Sequence, residues 1–266
     1  MFDGHGGKEV SIFVERVFKD EFIKLEEFKA KDYEAALKRC FRLMDEMLLS
    51  DEGKAKLKEI NASCGQQDPF AMANREESIA NFTGCTATVA LITQTDIYCA
   101  NAGDSRTIIA RSGQGNLMAN LSEDHKPDNE LEKKRIMAAG GFVEENRVNG
   151  SLNLSRSIGD FEYKSNTSKD YKEQMVTCDP EVTKTARQQN DQFIMLACDG
   201  IWDCLTSEEG AEKMRASLTK KGKNTPISTC IEEMFDEICA TDILSSSGIG
   251  TDNMTCVVVE LKPKNR

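Results

Sequence analysis

The chain has 266 residues, of which 39% are hydrophobic and 30% charged, so it can form a buried core. Its 45 acidic and 34 basic residues give a net charge of -11, which disfavours nucleic acid as a partner. No run of about 18 apolar residues occurs, so the sequence predicts no membrane-spanning helix.

Helical periodicity dominates the beginning of the chain. Residues 8–29 and 32–49 place apolar side chains at about 3.6-residue spacing, which predicts two amphipathic helices. Their connection at 30–32 is short, so we expect an antiparallel pair. Residues 50–80 are polar and aperiodic, and two alternatives remain open for them, a loop or a helix tail.

Short β-branched runs follow. Residues 86–93, 96–101 and 106–110 are separated by polar or glycine-containing turns, a pattern typical of a β-meander. Apolar runs at 192–198 and 254–261 predict two further strands.

The second half of the chain also contains helices. Residues 127–139, 207–219 and 226–240 have helical patterns, whereas the polar stretch 159–177 predicts a surface flap. Helices occur in pairs and strands in groups, without βαβ alternation. We therefore expect an α+β fold with antiparallel sheets and helices packed outside them. No linker divides the chain.

The ten cysteines are not arranged as a disulfide or zinc framework. No Cys-x-x-Cys pair occurs, and several cysteines lie in apolar runs, where a free thiol behaves as a small hydrophobic group. We therefore expect reduced thiols and a cytoplasmic or nuclear location.

Acidic residues beside glycine recur at the ends of apolar runs. The four cases are Asp3-Gly4, Gly103-Asp104, Asp199-Gly200 and Gly250-Thr251-Asp252. One such pair is most simply explained as a turn. Four at expected strand ends favour convergence on a hard cation, Mg²⁺ or Mn²⁺.

The two histidines differ in their surroundings. His5 lies between glycines and has room to face a ligand, although a lone loop histidine is more often only solvated. His125, before Lys126 and Pro127, fits a structural role better.

Motifs for other phosphate chemistry are absent. The sequence has no cysteine–arginine phosphatase spacing, no P-loop, no complete kinase signature and no Gly-x-Ser-x-Gly elbow. Gly159-Asp160-Phe161 has the letters of a kinase motif in the wrong order. No residue therefore stands out as a covalent nucleophile.

One motif resembles a known family. Phe2-Asp3-Gly4-His5-Gly6-Gly7 is similar to the first motif of metal-dependent protein serine/threonine phosphatases of type 2C. The other family motifs follow in order as TGCTATVALI from Thr83, ANAGDSR from Ala100, LSEDHKPDNELEKKRI from Leu121, AAGGFV from Ala138, RVNGSLNLSRSIGDFEYK from Arg147, LACDGIWD from Leu196 and GTDNMTCVVV from Gly250. The sequence is identified as a member of this family.

The resemblance implies a fold and a reaction. It implies one catalytic domain over residues 1–266, built as a four-layer α-β-β-α sandwich of two antiparallel sheets flanked by helix pairs. The flap would lie at about 161–179. The reaction implied is hydrolysis of phosphoserine and phosphothreonine in proteins by a metal-bridged water, without a covalent phosphoenzyme.

The resemblance also implies roles for the acidic residues. Asp3 matches the carboxylate that bridges two Mg²⁺ or Mn²⁺ ions, and the Gly4 carbonyl is a further ligand. Asp199 and Asp252 match ligands of the second ion. Asp104 matches an acid of a third, weaker site, to which Asp199 and Asp203 contribute.

His5 matches the general acid that protonates the leaving alkoxide. The partners implied are phosphorylated proteins, with neither nucleic acid nor membrane, and the family resemblance favours a monomer.

The sequence departs from the family pattern at its start. Family members have strands before the first metal motif, and these supply a phosphate-binding arginine and an acidic metal ligand. Here Asp3 is preceded only by Met1 and Phe2, so we expect an N-terminally incomplete domain with a poorly held Asp3 loop.

The alternative function is a pseudophosphatase that binds phosphoproteins or regulatory partners without turnover. A two-metal nuclease is disfavoured by the acidic charge.

Overall fold

The computed structural model describes residues 1–63, 79–115, 117–222 and 225–262. The helices are α1 (Glu9–Lys24), α2 (Glu26–Lys29), α3 (Tyr33–Leu49), α4 (Asp51–Ser63), α5 (Glu130–Ala138), α6 (Asp199–Trp202), α7 (Ser207–Lys220) and α8 (Ile227–Ile238). The strands are β1 (Gly4–His5), β2 (Gly84–Cys85), β3 (Ala87–Ile92), β4 (Asp96–Ala102), β5 (Arg106–Arg111), β6 (Met118–Asn120), β7 (Val143–Glu144), β8 (Arg147–Val148), β9 (Ile158–Gly159), β10 (Glu181–Ala186), β11 (Asp191–Ala197) and β12 (Cys256–Glu260).

The strands form several antiparallel sheets. The two larger ones have the orders β10-β4-β3 and β12-β11-β5-β6, and the smaller ones are β1-β2-β9 and β7-β8. The α+β prediction is therefore confirmed. The meander is wrong at its third strand, because β5 does not join β4 but pairs with β11 and β6. Both β4 and β5 are buried along nearly their whole length, although they belong to different sheets.

Alternating side chains place the two larger sheets against each other. In β4, Ile97 and Cys99 lie in one apolar cluster with Ile194 and Leu196 of β11. Because successive side chains of a strand point to opposite faces, the intervening residues face away from this cluster.

The outer faces of these sheets are covered by helices. Tyr98 and Ala100 of β4 belong to a second cluster with residues of α1, α3 and α4. Phe193 and Met195 of β11 belong to a third cluster with residues of α7 and α8, among them Met214. Helices thus pack against the faces of β4 and β11 that point away from the first cluster.

The N-terminal helices differ in detail from the prediction. The segment 8–29 is broken at Leu25, whose extended backbone (φ -59°, ψ 140°) separates α1 from α2. Residues 32–49 do form one helix, α3, whose first turn is capped by the Asp32 carboxylate accepting from the Ala35 N–H.

Residues 51–63 form α4, so the loop alternative is wrong there. Only a few apolar residues of α4 are buried, which explains its weak periodicity. The rest of the 50–80 segment, at 64–78, lies outside the described residues.

The later elements follow the sequence more closely. The helix expected at 127–139 begins at Glu130, and α7 and α8 agree with the predictions at 207–219 and 226–240. Strand β10 was not predicted, because its polar, half-exposed sequence lacks an apolar run.

The flap expected at 159–177 is only partly a surface feature. It contains 3-10 helices at Phe161–Lys164 and Tyr171–Glu173. Beyond them, Val176 and Thr177 are buried, and Val176 packs with Ile136 and Val148. The prediction of an exposed segment is wrong for this part.

The sequence also predicts the absence of a membrane-spanning helix and the presence of reduced thiols. Among the described residues, the helices are too short or too polar to cross a bilayer. Nine of the ten cysteines lie in this part of the chain and all nine are free thiols, in agreement with the prediction; Cys64 lies outside it.

A buried ion cluster ties α5 to two later segments. Glu132 is 3% exposed and accepts hydrogen bonds from Arg135 Nη1 at 2.7 Å, Arg156 Nη2 at 2.7 Å and Ser155 Oγ at 2.6 Å. Arg156 Nη1 also donates to the Asp179 carbonyl at 3.0 Å. Burial raises the pKa of Glu132, but the Arg156 hydrogen bond and the two arginine charges outweigh it and lower the pKa from 4.5 to about 2.

We expect Glu132→Gln to lower the free energy of unfolding by about 3 kcal/mol, because it leaves two half-buried guanidinium groups without their carboxylate. Urea unfolding at pH 7 measures this loss. Glu130→Gln is the matched control, since Glu130 makes an exposed ion pair with Lys134 in the same helix. It should cost less than about 1 kcal/mol.

The loss should depend on pH. A carboxyl whose pKa is lower in the folded state stabilises the fold fully above 4.5 and loses this effect as the pH falls through about 2. The difference between wild type and Glu132→Gln should therefore shrink below pH 4.5. An equal difference at pH 7 and pH 3 would contradict the ionised state of Glu132.

Candidate metal centre

The predicted acidic residues gather where several strands begin or end. Asp104 follows β4, Asp199 follows β11 and Asp252 precedes β12. The register places Ala197, at the end of β11, opposite both Cys256 and Arg106, which begin β12 and β5. These loops therefore lie at one end of the two larger sheets.

The segment before Asp3 is held against the edge of β3. The Thr88 N–H donates to the Met1 carbonyl at 3.0 Å, and the Thr86 N–H donates to the Asp3 carbonyl at 2.8 Å. The Asp3 N–H donates to Thr86 Oγ1 at 3.3 Å, and that hydroxyl is 2.6 Å from Ser105 Oγ. The expectation of a poorly held Asp3 loop is therefore wrong.

The structure brings Asp3 and Asp199 together. One carboxylate oxygen of each and the Cys198 sulfur all lie within 4.8 Å of one another, an arrangement that could hold a metal ion. Cys198 was not predicted here. Its Sγ accepts from the Thr255 N–H at 3.2 Å, and burial raises the pKa of the thiol to about 11. A neutral thiol is a poor ligand, so the oxygens are the main donors.

The other predicted ligands lie outside this group of three. Asp104 is buried, and its Oδ2 accepts from Lys126 Nζ at 2.6 Å. Asp252 is exposed, and its Oδ1 accepts from the Asn253 N–H at 2.7 Å. Gly4 lies in β1, opposite Cys85.

The carboxylates repel one another. Burial, followed by the nearby charges of Asp104 and Asp3, raises the pKa of Asp199 to about 7. The pKa of Asp3 is raised by burial, followed by the charges of Asp104 and Asp252. Half-buried carboxylates without enough counter-charge fit a site for a divalent cation, which would relieve both effects.

His5 lies beside this cluster and pairs with an acid that is distant in sequence. Its Nε2 is 2.6 Å from Oδ2 of Asp160. Burial lowers the pKa of His5, but the hydrogen bond and the charge of Asp160 outweigh it, so the pKa is raised overall. Asp160 was not predicted as a site residue. It does lie in the family motif that begins at Arg147, to which the resemblance assigns no site residue.

The remaining predicted histidine has the structural role expected of it. His125 is buried, and its ring Nδ1 accepts from the Gly103 N–H at 3.3 Å. The backbone N–H of His125 donates to the Gly103 carbonyl at 3.0 Å. It thereby holds the turn that carries Asp104. Lys126, which follows it, was missed as a partner of that carboxylate.

Comparison with known proteins decides the family. The sequence profile of Protein phosphatase 2C matches residues 1–243. The chain belongs to the protein phosphatase 2C family. Probable protein phosphatase 2C 3 of Paramecium tetraurelia is 43% identical over 267 residues, which cover 98% of this chain and 82% of that protein. Probable protein phosphatase 2C 21 of Arabidopsis thaliana is 39% identical over 287 residues, covering 100% of this chain and 79% of that protein.

Solved structures agree with this protein phosphatase 2C fold. Serine-threonine phosphatase 2C from Toxoplasma gondii superimposes with a TM-score of 0.71 at 20% identity, over 98% of this chain and 83% of that one. A C. elegans sex determining protein gives 0.66 at 24% identity, over 99% of this chain and 56% of that one. The chain is thus a protein serine/threonine phosphatase, a hydrolase of a generally metal-dependent family.

The repulsion in the cluster gives a prediction for the metal-free protein. Because the folded pKa of Asp199 is about 7 rather than 3.8, ionising this residue costs folding free energy as the pH rises between these values. In EDTA at pH 8, Asp199→Asn should therefore be more stable than wild type by roughly 1–3 kcal/mol, allowing for partial solvent screening. Thermal and urea unfolding measure the difference.

At pH 4 the two proteins should be nearly equal, since Asp199 is then largely neutral in the folded state. Asp20→Asn, an exposed change near the other end of α1, controls for the loss of one negative charge. A wild type that is the more stable protein in EDTA at pH 8 would contradict the repulsion.

Proposed function

We propose that this phosphatase hydrolyses phosphoserine and phosphothreonine in proteins with two Mg²⁺ or Mn²⁺ ions and a third, weaker ion, without a covalent phosphoenzyme. The observation that carries this proposal is the close approach of the Asp3 and Asp199 carboxylates, since the charge of Asp3 raises the pKa of Asp199 and a cation would offset that repulsion. All-oxygen donors match these hard ions.

The ligand assignment combines the family resemblance with these positions. Asp3 and the Gly4 carbonyl would hold the two ions together with Asp199 and Asp252. Asp104, with Asp199 and Asp203, would serve the third. When bound, the ions supply an activated water and offset negative charge on the phosphoryl oxygens.

Two further charged residues, Lys126 and Asp203, contribute to the electrostatic potential at this site. Lys126 donates a 2.6 Å hydrogen bond to Asp104 and balances its negative charge, so metal ions are not the only positive charges at the site. The pKa of Asp203 is raised by burial and by the charge of Asp104, although Lys126 opposes this. A cation near Asp203 would therefore be favourable there too.

A direct attack by water is favoured over a covalent route. Among the described residues, the thiol that approaches Asp3 and Asp199 belongs to Cys198, whose raised pKa of about 11 keeps it neutral near pH 7. A neutral thiol is a weak nucleophile.

His5 is the proton donor in this proposal. Its raised pKa keeps the imidazole protonated to higher pH than in a free histidine, so it can supply a proton to the departing seryl or threonyl oxygen. The 2.6 Å hydrogen bond to Asp160 stabilises the charged ring.

The remaining proposals concern the organisation of the protein. Residues 1–266 would form one catalytic domain in which the two helix layers and the two larger sheets make the α-β-β-α sandwich. The segment at about 161–179 would be the flap beside the cleft. Phosphorylated proteins would be the substrates of a cytoplasmic or nuclear monomer.

The proposal predicts metal-dependent release of phosphate. With a phosphothreonine peptide, exhaustive EDTA treatment should abolish turnover, and Mn²⁺ or Mg²⁺ should restore it, because the carboxylates bind phosphate only through cations. Asp199→Asn should reduce metal-restored turnover at least ~10²-fold by removing a ligand charge. Asp20→Asn should not.

The same assay separates the alternative function. A pseudophosphatase would retain the phosphopeptide in a metal-dependent binding assay and release no phosphate. Turnover that survives chelation would instead contradict the metal mechanism itself.

His5→Gln should lower turnover of phosphothreonine peptide by ~10²–10⁴-fold, the range of general acid catalysis. It should affect 4-nitrophenyl phosphate much less, because an aryl oxide leaves without protonation. The ratio of the two losses is the measurement. Equal losses on both substrates would show that His5 is not the general acid.

A further inference from the structure

The smaller of the two three-stranded sheets lies beside the candidate metal centre. Strands β1, β2 and β9 have two residues each, with His5 opposite Gly84 and Gly84 opposite Gly159. Asp160 directly follows β9. The sheet therefore joins three distant segments of the chain and ends with His5 and Asp160 on either side of Gly84.

Gly84 leaves the space in which these two side chains meet. A Cβ atom at this position would lie 2.1 Å from Asp160 Oδ2 and 2.8 Å from His5 Nε2. Both distances are too short for any side chain, so the 2.6 Å contact between Nε2 and Oδ2 depends on a glycine in β2.

The Asp160 carboxylate is itself held in place. Asp160 is 3% exposed, and its Oδ2 also accepts from Ser157 Oγ at 2.5 Å. Its backbone is left-handed (φ 55°), and its N–H donates to the Thr83 carbonyl at 3.1 Å. Aspartate is one of the few residues besides glycine that adopt left-handed backbone readily, so this conformation suits the residue.

The hydrogen bond selects one form of the imidazole. A carboxylate only accepts hydrogen bonds, and Oδ2 already accepts from Ser157, so the proton of the His5 contact lies on Nε2. In neutral His5 the other nitrogen, Nδ1, is then the unprotonated one, and it is the atom that can exchange a proton.

We propose that Asp160 is the positioning residue of His5, fixing its ring and its Nε2–H tautomer so that Nδ1 is the atom that gives the proton to the leaving oxygen. The inference rests on the proposed general-acid role of His5. No bond is made to Asp160. The proton passes from Nδ1 to the alkoxide oxygen, and Nε2–H stays bonded to Asp160.

The first test is the tautomer itself. The full chain, labelled with ¹⁵N-histidine and loaded with Mg²⁺, has two histidines, so His5→Gln assigns the signals. At a pH where the ring is neutral, we expect His5 to be protonated at Nε2 in the wild type. Asp160→Gly, which suits the left-handed backbone, should give a mixture of both tautomers. An Nδ1–H form in the wild type, or an unchanged ratio in the variant, would overturn the proposal.

The second test is kinetic. Asp160→Gly should lower kcat on a phosphothreonine peptide by ~10–10²-fold, and at least tenfold more than on 4-nitrophenyl phosphate, because only the peptide needs the proton. Asp160→Asn keeps an acceptor and tolerates the same backbone, so it should recover part of the loss. Asp236→Asn, exposed on α8, is the charge-matched control and should leave both rates unchanged.

A double variant separates positioning from a general structural effect. Adding Asp160→Gly to His5→Gln should cause no further loss on the peptide, since Asp160 acts through His5. Multiplying losses would overturn the proposal. If His5→Gln alone affects both substrates equally, the general-acid role fails. The tautomer measurement then still decides whether Asp160 orients the ring.

Discussion

The repulsion between carboxylates at one end of the two larger sheets is the constraint on which the site depends. Asp3, Asp104 and Asp199 come from separate segments, and their charges act on one another across a partly buried space. Such a cluster opposes folding, so the packed strands and helices must hold it together. Lys126 offsets part of this charge at Asp104, and His5 offsets part of it at Asp3. The proposed divalent cations would offset the remaining charge.

The pair of His5 and Asp160, beside the carboxylate cluster, is held together by hydrogen bonds and does not depend on unbalanced charge. His5 and Asp160 meet over Gly84, and the short segment 155–160 supplies both the support and the acid. In this segment Ser155 and Arg156 bind the buried Glu132 of α5, and Ser157 binds Asp160. The ion cluster of α5 thus anchors the backbone that carries Asp160 to the histidine.

Local patterns predicted most of the longer helices and strands, and the errors have common physical causes. The sequence pattern of a strand indicates that the strand exists but not which strand pairs with it. The prediction therefore placed β5 beside β4, although β5 pairs with β11. The break at Leu25 was missed because the apolar spacing continues through it. Helix α4 and strand β10 bury few apolar side chains, so neither produces a clear pattern.

The sequence by itself determined the family, the α+β class and the oxygen-rich residues available to a metal, because motifs, periodicity and Asp-Gly pairs are local features of the chain. Only the tertiary structure decided which of them meet. It brings Asp3 to Asp199, pairs Lys126 with Asp104, and joins His5 to Asp160, 155 residues away. These contacts follow from strand register and from the space left by Gly84. Neither is encoded in local spacing, since both depend on how distant segments pack.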